Sequence, residues 1–432
     1  MTPATPGPLL AGAALLGGAA GAWPVDGCGC VTCTAGPAGC GDLLGLALGR
    51  SLVLDGGRRA PDGAAHLASG SVDAVAAGAR TLEVGDQVVA GPVRAVALPG
   101  PAGSPGAVAV VVSDGTSTLL WSPGRGPLPD ETLDVLGDAG LAVAVVDVRD
   151  ATGAASATSA AHRVADLRRS GALGPQARLV AVGLDHTGPA AHRLRADLAR
   201  HGLTLAVAGD RPAALPVPDA VPPPRRTLVL GPASSGKSAA AEDLLAAEPA
   251  VDYAATGPEP DATDADWTAK VAAHRARRPR GWTTVETSAP GALAALLRSP
   301  GPPVLLDSLG TWVVAVLDRA GAWNDPTDDP TDDPTVSDPH AWRAAADAEV
   351  ADLVDAWRGT RRVVVAVGEE VGWGVVPATR AGRLFAETLG DLSRRLAAQT
   401  ERTLLVVAGR VVDLDSPAGP AGSPDPAAGG PR

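Results

Sequence analysis

The chain has 432 residues, enough for two or three domains, and 45% of them are hydrophobic, so sizeable cores are expected. Its formal net charge of −12 argues against a general nucleic-acid-binding protein, because a phosphate backbone requires a basic surface. No uninterrupted apolar run reaches membrane-spanning length, so we expect no membrane span. The apolar segment 9–22 lacks the positive charge of a signal peptide, which favours a first strand and a cytoplasmic protein.

The cysteines form one local cluster with the spacing C-x-C-x2-C-x6-C. They are Cys28, Cys30, Cys33 and Cys40. A disulfide framework would spread along the chain, whereas a local metal site would look like this. The pattern leaves two readings open, a structural Zn²⁺ site and a loop of free thiols or a decayed metal site.

Residues 1–215 are predicted to form a first domain. Apolar, β-branched runs predict strands at 51–55, 93–98, 107–112, 118–121, 141–148 and 178–182. Helical patterns follow at 129–137, 160–170 and 189–201. Strands first and helices between the later ones indicate a layered α/β or α+β domain. Residues 216–225 contain Val-Pro-Pro-Pro and predict a stiff linker, since proline cannot continue a helix or a central strand.

Residues 226–414 are predicted to form a second domain in which strands and helices alternate. Strands are expected at 227–230, 251–254, 283–286, 304–307, 362–367 and 403–407, and helices at 237–247, 267–277, 291–297, 340–358 and 379–399. Alternation of this kind indicates βαβ units and a mostly parallel sheet. The acidic, proline-broken segment 324–339 predicts a mobile excursion, and residues 415–432 predict a disordered tail.

The second domain opens with the pattern G-x-x-x-x-G-K-S between a strand and a helix, which predicts a phosphate-binding P-loop. Its residues are Gly231, Pro232, Ala233, Ser234, Ser235, Gly236, Lys237 and Ser238. Lys237 would reach the outer phosphates of a nucleotide, and the Ser238 hydroxyl would bind Mg²⁺. Asp307 ends a predicted strand and is the expected second Mg²⁺ ligand, with a strand-end cap as the alternative.

His274 is the candidate nucleophile. On a helix it would share a face with Lys270, and three arginines follow it closely, Arg275, Arg277 and Arg278. Neighbouring positive charge favours the neutral imidazole, which can attack phosphorus while arginines stabilise the phosphate oxygens. A histidine in a basic helix can equally be an ordinary surface residue.

Several motifs spaced along the second domain favour the interpretation of His274 as a nucleophile over that of an ordinary surface residue. They are the P-loop, Tyr253-Ala-Ala-Thr256, His274-Arg275 with Arg278-Pro279, Trp282, Thr284 and Glu286, then Asp307-Ser308-Leu309, Glu370-Val-Gly-Trp-Gly-Val-Val-Pro377 and 405–409. In this order they resemble the bifunctional adenosylcobinamide kinase / adenosylcobinamide-phosphate guanylyltransferase family of cobalamin biosynthesis. The resemblance covers residues 226–414 nearly from end to end.

The resemblance implies that His274 attacks the α-phosphorus of GTP, expels pyrophosphate and passes GMP to adenosylcobinamide phosphate. In the preceding kinase step, the enzyme would phosphorylate adenosylcobinamide with ATP or GTP bound at the same P-loop. The implied nucleotide contacts are the P-loop residues with Ala255, Thr256, Gly257, Arg275, Ala276, Arg277, Arg278, Glu286 and Asp307. Family members form oligomers, so a homo-oligomer is also implied.

Three departures from the family's motifs bear on this expectation. Gly368-Glu369 stands where most members have Ser/Thr-Asn, Ser393-Arg394 stands in place of Asn-Gln, and Pro232 and Ser234 replace the usual Gly and Arg. They leave open an enzyme that retains only one of the two activities, or a nucleotide-binding regulatory protein whose catalysis has decayed. The role of Glu370 stays open between a functional and a structural carboxylate.

The first domain distantly resembles the metallo-β-lactamase-like fold, in a branch with an early Cys-x-Cys-x-x-Cys. The resemblance rests on Gly21-Ala-Trp-Pro24, the cysteines, 51–55, 119–128 and Gly183-Leu-Asp-His186. The histidine cluster that holds two metals in that fold is missing, which predicts a domain without hydrolytic activity. The expected fold class is α/β: a degenerate metallo-β-lactamase-like αββα domain followed by a P-loop NTPase-like, mostly parallel sheet flanked by helices.

Overall fold

A computed structural model describes residues 13–17, 43–48, 52–55, 64–69, 75, 78–150, 155–183, 191–206, 210–215, 224–257, 268–269, 272, 278–323, 341–374 and 376–415. The chain divides into two compact units. The first comprises Met1–Pro222, Ala246–Pro249 and Pro279–Gly281; the second comprises Pro223–Leu245, Ala250–Arg278 and Trp282–Arg432. The predicted linker 216–225 and tail 415–432 lie almost entirely outside the described residues, so the domain bounds stay a prediction.

The first unit begins with strands and continues with alternating strands and helices, as predicted. Its elements are β1 (Ala13–Gly17), β2 (Leu43–Leu48), β3 (Leu52–Leu54), β4 (Ala65–Ala68), β5 (Arg80–Thr81), β6 (Gln87–Ala90), β7 (Val93–Pro99), β8 (Val108–Ser113), β9 (Thr118–Ser122), α1 (Asp130–Leu136), β10 (Leu141–Asp147), α2 (Ala157–Arg169), β11 (Leu173–Val182), α3 (Ala191–Arg200) and β12 (Leu203–Leu205). A short 3₁₀ turn, Pro212–Ala214, follows.

These strands form two sheets. One has the order β1-β2-β3-β4-β5, and the other has the order β12-β11-β10-β9-β8-β7-β6. Strands β6 to β9 are antiparallel hairpin neighbours, whereas β9 to β12 run parallel and are connected through α1, α2 and α3. The expected α/β class is therefore confirmed for this unit.

The larger sheet has a hydrophobic core on each face. Side chains alternate across a strand, and in β10 Ala144 and Val146 join the core beneath the three helices, while Val143 and Val145 join the core shared with the smaller sheet. Because both faces are covered, β10 reads as a nearly continuous apolar run. The described residues of the first unit thus form three layers: the helices, the larger sheet in the middle, and the smaller sheet.

A buried carboxylate links the two sheets. Asp55, at the end of β3, is 2% exposed and accepts hydrogen bonds from the Ser69 backbone N–H at 2.7 Å, from the Ser69 hydroxyl, and from Trp121 Nε1 at 2.8 Å. Trp121 lies on β9 of the larger sheet and is itself buried. A buried charge needs such partners, so this network specifies how the sheets align.

Charged side chains fill the carboxyl ends of the parallel strands in the first unit. Asp147, at the end of β10, accepts from Arg149 Nε at 2.9 Å, and Arg163 of α2 donates to the carbonyl oxygens of Ser122 and Gly124. Burial lowers the pKa of Arg163 to about 10. Among the described residues no group of three or more His, Cys, Asp and Glu is placed to hold a metal ion.

The second unit alternates strands and helices from end to end. Its elements are β13 (Arg226–Gly231), α4 (Lys237–Leu244), β14 (Val251–Ala255), β15 (Trp282–Glu286), α5 (Ala292–Arg298), β16 (Val304–Asp307), α6 (Leu309–Ala320), α7 (Ala341–Gly359), β17 (Val364–Glu369), α8 (Arg380–Ala397), β18 (Arg402–Val407) and β19 (Arg410–Asp413). The predicted helix 267–277 lies mostly outside the described residues, as does the segment 324–339.

The strands of the second unit form one sheet with the order β15-β14-β16-β17-β13-β18-β19. Every neighbouring pair is parallel except β18–β19, which confirms the predicted mostly parallel sheet. The strand order places β17 between β13, which leads into the P-loop, and β16, which ends at Asp307. The carboxyl ends of these three strands therefore lie side by side.

Helices cover both faces of this sheet. Leu228 and Leu230 of β13 face the core formed with α5, α6, α7 and α8, whereas Val229 faces the core formed with α4. This alternation explains why β13 is apolar throughout, since neither face meets water.

Helix α6 is not predicted by the sequence patterns above. Its run Thr-Trp-Val-Val-Ala-Val-Leu is rich in β-branched residues, which are only moderate helix formers. Packing overrides this preference, because Leu309, Val313 and Leu317 are buried in the core. The signal that could have revealed the helix is Ser308, which caps it and accepts a hydrogen bond from the Thr311 N–H.

Within the described residues, no helix is both long and apolar enough to cross a bilayer.

The burial pattern of α6 makes a stability prediction. Leu317→Ala should lower the free energy of unfolding of the second unit by about 2–5 kcal/mol, because Leu317 is fully buried and the substitution leaves a cavity. Val314→Ala on the same helix is the matched control: Val314 is 45% exposed, and we expect a change within about 0.5 kcal/mol. Urea unfolding followed by circular dichroism would test this, and equal losses in the two variants would contradict the assigned orientation of α6.

Candidate functional site

The loop between β13 and α4 contains the predicted P-loop sequence. It leaves the centre of the sheet, because β13 is paired on both sides by parallel strands. Ser234 and Gly236 take the left-handed conformation, with φ of 58° and 92°, and turn the chain into the first turn of α4. A Cβ at Gly231 would lie 2.6 Å from the Val406 carbonyl oxygen, so this position requires glycine. Such a loop directs backbone N–H groups toward one anion.

Two polar side chains of the loop are buried. Lys237 is only 9% exposed, and its Nζ donates to the Pro232 carbonyl oxygen at 3.4 Å, so the ammonium group folds back over the loop. Ser235 Oγ is buried and has no hydrogen-bond partner among the described residues. Buried hydroxyls are normally satisfied, and an anion held in the loop would supply the missing partner.

Asp307 ends β16 and faces the start of α4. Its Oδ1 accepts a hydrogen bond from Ser238 Oγ at 3.4 Å, and its Oδ2 accepts one from the Tyr253 hydroxyl at 2.6 Å. The two predicted oxygen ligands are thus brought together across a sequence separation of 69 residues. Burial, and then the Asp307 charge, raise the pKa of Tyr253 far above its ordinary value, so the phenol stays protonated and donates to the carboxylate.

Tyr253 also contacts the end of the basic motif. The Arg278 guanidinium carbon lies 3.3 Å from the centroid of the Tyr253 ring, and Arg278 Nη1 donates to Thr284 Oγ1 at 2.8 Å. A guanidinium stacked on an aromatic face is held by cation–π attraction. Tyr253 therefore contacts Asp307 through its hydroxyl and Arg278 through its ring.

Thr256 has a structural role in the described arrangement. It is 1% exposed, and its hydroxyl donates to the Ser308 carbonyl oxygen at 2.7 Å and accepts from the Ser308 N–H at 3.0 Å. It thereby anchors the residue that caps α6. The prediction that Thr256 contacts a nucleotide stays untested, and in this state the hydroxyl is engaged elsewhere.

The remaining predicted site residues divide into two groups. Ala255 and Glu286 end the neighbouring strands β14 and β15 and are paired in register, with Gly257 just beyond them at the same edge of the sheet. Glu286 is exposed. His274 and Arg275 to Arg277 lie outside the described residues, as do Cys28, Cys30, Cys33, Cys40 and His186.

Glu369 is a site residue that the sequence reasoning recorded only as a departure. It ends β17 directly opposite Gly231 of the P-loop in the parallel register. Its Oε1 lies 4.0 Å from Lys237 Nζ, and its Oε2 accepts from the Gly310 N–H of α6 at 2.9 Å. The sequence signal that could have identified Glu369 is a carboxylate at the end of a strand that neighbours the P-loop strand. This signal can be recognised only when the order of the strands in the sheet is known.

Two solved structures that resemble the chain match it weakly. A metallo-β-lactamase fold protein from Bacillus subtilis, YhfI, has a TM-score of 0.24 and 16% identity, with 31% of this chain and 53% of that chain covered. Igni18, a metallo hydrolase from Ignicoccus hospitalis, has a TM-score of 0.23 and 14% identity, with 32% and 63% covered. TM-scores this low do not establish a shared fold, so the resemblance of the first unit to the metallo-β-lactamase-like fold stays a prediction.

The sequence comparisons of the second unit are much stronger. The family model described as cobinamide kinase / cobinamide phosphate guanyltransferase matches residues 227–414. The bifunctional adenosylcobalamin biosynthesis protein CobU of Salmonella typhimurium is 34% identical over 183 residues, covering 42% of this chain and 95% of that protein.

Two further relatives give the same result. CobU of Escherichia coli is 35% identical over 185 residues, with 42% of this chain and 95% of the relative covered. CobP of Pseudomonas aeruginosa is 35% identical over 193 residues, with 44% and 96% covered. Nearly the whole of each relative is thus present here, and the chain belongs to the cobinamide kinase / cobinamide phosphate guanyltransferase family.

Proposed function

We propose that the second unit catalyses two steps of cobalamin biosynthesis. It phosphorylates the alcohol of adenosylcobinamide with ATP or GTP, and it transfers GMP from GTP to adenosylcobinamide phosphate, giving adenosylcobinamide-GDP. The observation that carries the proposal is the convergence of Lys237, Ser238 and Asp307 at the mouth of a P-loop, in a chain of this family. The same loop serves the phosphates of the nucleotide in both steps.

Phosphate binding follows from the loop itself. The backbone N–H groups and the start of α4 provide a positive, preorganised cradle, and Lys237 adds a full charge. In the kinase step these groups stabilise the negative charge that spreads over the transferred phosphoryl oxygens.

Ser238 and Asp307 suit Mg²⁺, which takes oxygen ligands. Their oxygens are 3.4 Å apart, close to the separation of about 3 Å between neighbouring ligands at about 2.1 Å on an octahedral ion. Mg²⁺ held there would neutralise charge on the nucleotide phosphates. The Tyr253 hydroxyl holds Asp307 Oδ2, which leaves Oδ1 directed toward Ser238.

The guanylyl transfer step rests on the motif around His274. An imidazole nitrogen attacks the α-phosphorus of GTP, a nitrogen–phosphorus bond forms, and the bond to the pyrophosphate leaving group breaks. A phosphate oxygen of adenosylcobinamide phosphate then displaces the histidine and receives GMP. Arg278 closes this motif, and its guanidinium lies on the ring of Tyr253, whose hydroxyl binds Asp307; this contact supports a role for the motif next to the phosphate site.

The proposal extends to the properties that the resemblance implies. The enzyme is a homo-oligomer that acts in the cytoplasm, residues 226–414 are its catalytic domain, and residues 1–215 have no hydrolytic activity.

A structural Zn²⁺ at the cysteine cluster is part of the proposal, and metal analysis of the purified full-length protein would test it. A measured zinc content far below one ion per chain would contradict the structural Zn²⁺ site.

The first functional prediction concerns His274. Incubation with GTP labelled at the α-phosphorus should give a protein adduct that is labile in acid and stable in alkali, as expected for a phosphorus–nitrogen bond. His274→Ala should abolish the adduct, since it removes the nucleophile. His340→Ala is the matched control and should label like the wild type. Absence of an adduct in the wild type would contradict the guanylyltransferase step.

A kinase assay separates the remaining alternatives. Phosphorylation of adenosylcobinamide together with adduct formation supports the bifunctional enzyme, and either result alone indicates an enzyme that retains one activity. Nucleotide binding with neither activity indicates a regulatory protein.

A second prediction tests the positioning of Asp307. Tyr253→Phe keeps the ring beneath Arg278 and removes the hydroxyl that holds Asp307. We expect half-maximal nucleotide binding to require about 10-fold more Mg²⁺, as for other losses of a group that orients a metal ligand. The measurement is a Mg²⁺ titration with a fluorescent GTP analogue.

The control for Tyr253→Phe is nucleotide affinity in the absence of Mg²⁺, which should not change. An unaltered Mg²⁺ midpoint would show that Tyr253 does not position Asp307.

A further inference from the structure

A cavity of about 260 Å³ lies within the second unit, at the carboxyl ends of β13 and β17. Its walls come from the ends of these strands, from the residues that follow β17, and from one face of α8. The lining residues include Leu230, Val371, Gly372, Ala386, Gly390 and Ala397. Because β13 leads directly into the P-loop, the cavity adjoins the phosphate site.

The segment that follows β17 is anchored at both ends. The Glu370 N–H donates to the Gly231 carbonyl oxygen at 3.0 Å, which ties the start of the segment to the P-loop. At the other end, Arg383 Nη1 donates to the carbonyl oxygens of Pro377 and Ala378 at 3.0 and 2.9 Å. The same strand ends and the same helix that form the cavity therefore also hold this segment.

Between these anchors the segment exposes large apolar side chains. Trp373 is 64% exposed, and Val371 and Val376 are 38% and 74% exposed. The other tryptophans that the structure describes are buried or half-buried. Tryptophan normally buries most of its surface, so an indole left in solvent beside a cavity, next to exposed valines, marks a surface that a ligand covers.

On the basis of the proposed function, we propose that the cavity and this exposed segment together form the corrinoid-binding site. The cavity receives the alcohol-bearing arm of adenosylcobinamide, which brings the hydroxyl beside the P-loop. The macrocycle stays outside, and Trp373 packs on its apolar surface together with Val371 and Val376. Trp373 thus binds the substrate without touching the reacting atoms.

The size and lining of the cavity support this division of the substrate. Pockets for whole drug-sized ligands measure about 300–1,000 Å³, and a corrinoid is larger than most such ligands. A cavity of about 260 Å³ therefore has room for an arm but not for the macrocycle. Leu230, Ala386 and Ala397 offer apolar wall to a short aliphatic arm, and the Ser393 hydroxyl can bind an amide or hydroxyl group.

The observations favour the corrinoid over two other occupants of the exposed segment. A second copy of this chain would need more apolar area, because stable interfaces bury about 800 Å² on each partner, whereas this segment exposes one tryptophan and two valines. A guanine base could stack on Trp373, but it would leave the adjoining cavity unfilled. Continuity between the exposed segment and the cavity is explained by one ligand that occupies both.

Trp373→Ala tests the exposed segment. We expect the Kd for adenosylcobinamide, measured by equilibrium dialysis, and the KM of its phosphorylation to rise at least about 10-fold, as for other aromatic anchors of a binding site. Trp373→Phe should recover most of the affinity, because it restores an aromatic face. The Kd for a fluorescent GTP analogue should not change. Val412→Ala, which alters a 48% exposed valine on β19, is the control and should bind adenosylcobinamide like the wild type.

Gly390→Phe tests the cavity. Gly390 lies on α8, and no heavy atom of the described residues outside that helix's own backbone comes within 4 Å of a Cβ placed there, so a larger side chain can enter the cavity. We expect weaker binding of adenosylcobinamide and unchanged affinity for the GTP analogue. Gly359→Phe, at the equally open end of α7, is the matched control and should keep the wild-type affinity.

A folded Trp373→Ala or Gly390→Phe protein with wild-type affinity for adenosylcobinamide would overturn the inference, and circular dichroism melting establishes that each variant is folded. If Trp373→Ala weakens only the binding of the GTP analogue, the segment binds guanine. If it lowers only the sedimentation coefficient, the segment is a subunit interface. Either result would also overturn the inference.

The wild type separates this inference from the proposed function. If the wild type binds adenosylcobinamide without phosphorylating it, the proposed kinase activity fails, while the binding measurements on the variants still decide the inference. If the wild type phosphorylates adenosylcobinamide and both variants bind it normally, only the inference fails.

Discussion

The parallel alignment of β13, β17 and β16 is the constraint on which the second unit depends. In parallel register Gly231 pairs with Glu369, and Val367 pairs with Asp307. The P-loop and two carboxylates from distant parts of the chain are therefore delivered to one edge of one sheet. Since the strands are hydrogen-bonded to each other and packed on both faces, a slip of register would exchange side chains between two differently packed cores, and this packing holds the site geometry in place.

Several side chains at this edge serve packing and chemistry together. Tyr253 lies in the core beneath the loop, yet its hydroxyl holds Asp307 and its ring supports Arg278. Thr256 anchors Ser308 and through it the start of α6. The site is thus supported by residues whose own conformations are fixed by the sheet, which is the usual requirement for a preorganised catalytic centre.

Glu369 illustrates how a departure from a family motif acquires meaning in three dimensions. Along the sequence it is one unexpected residue before the Glu370-Val-Gly motif. In the fold it faces Lys237, binds the first turn of α6 and lines the same cavity as Ser393 and Arg394.

Much of the architecture was predictable because its signals are local. Strand β16 was predicted with its observed bounds, 304–307, since a short apolar run that ends in aspartate reads as a buried strand. The P-loop pattern predicted the turn between β13 and α4, where glycine is required at Gly231 and Gly236. Helix α6 escaped prediction because tertiary packing outweighed its weak intrinsic helix preference.

By itself, then, the sequence determined the alternation of strands and helices, the phosphate-binding loop and the family. Only the tertiary structure decided that Tyr253 holds Asp307, that Glu369 faces Lys237, and that a cavity adjoins them. The physical reason is the range of the interactions. Periodicity and turn chemistry act over a few residues, whereas these contacts depend on which strands pair, and that choice is made by burial of the whole sheet.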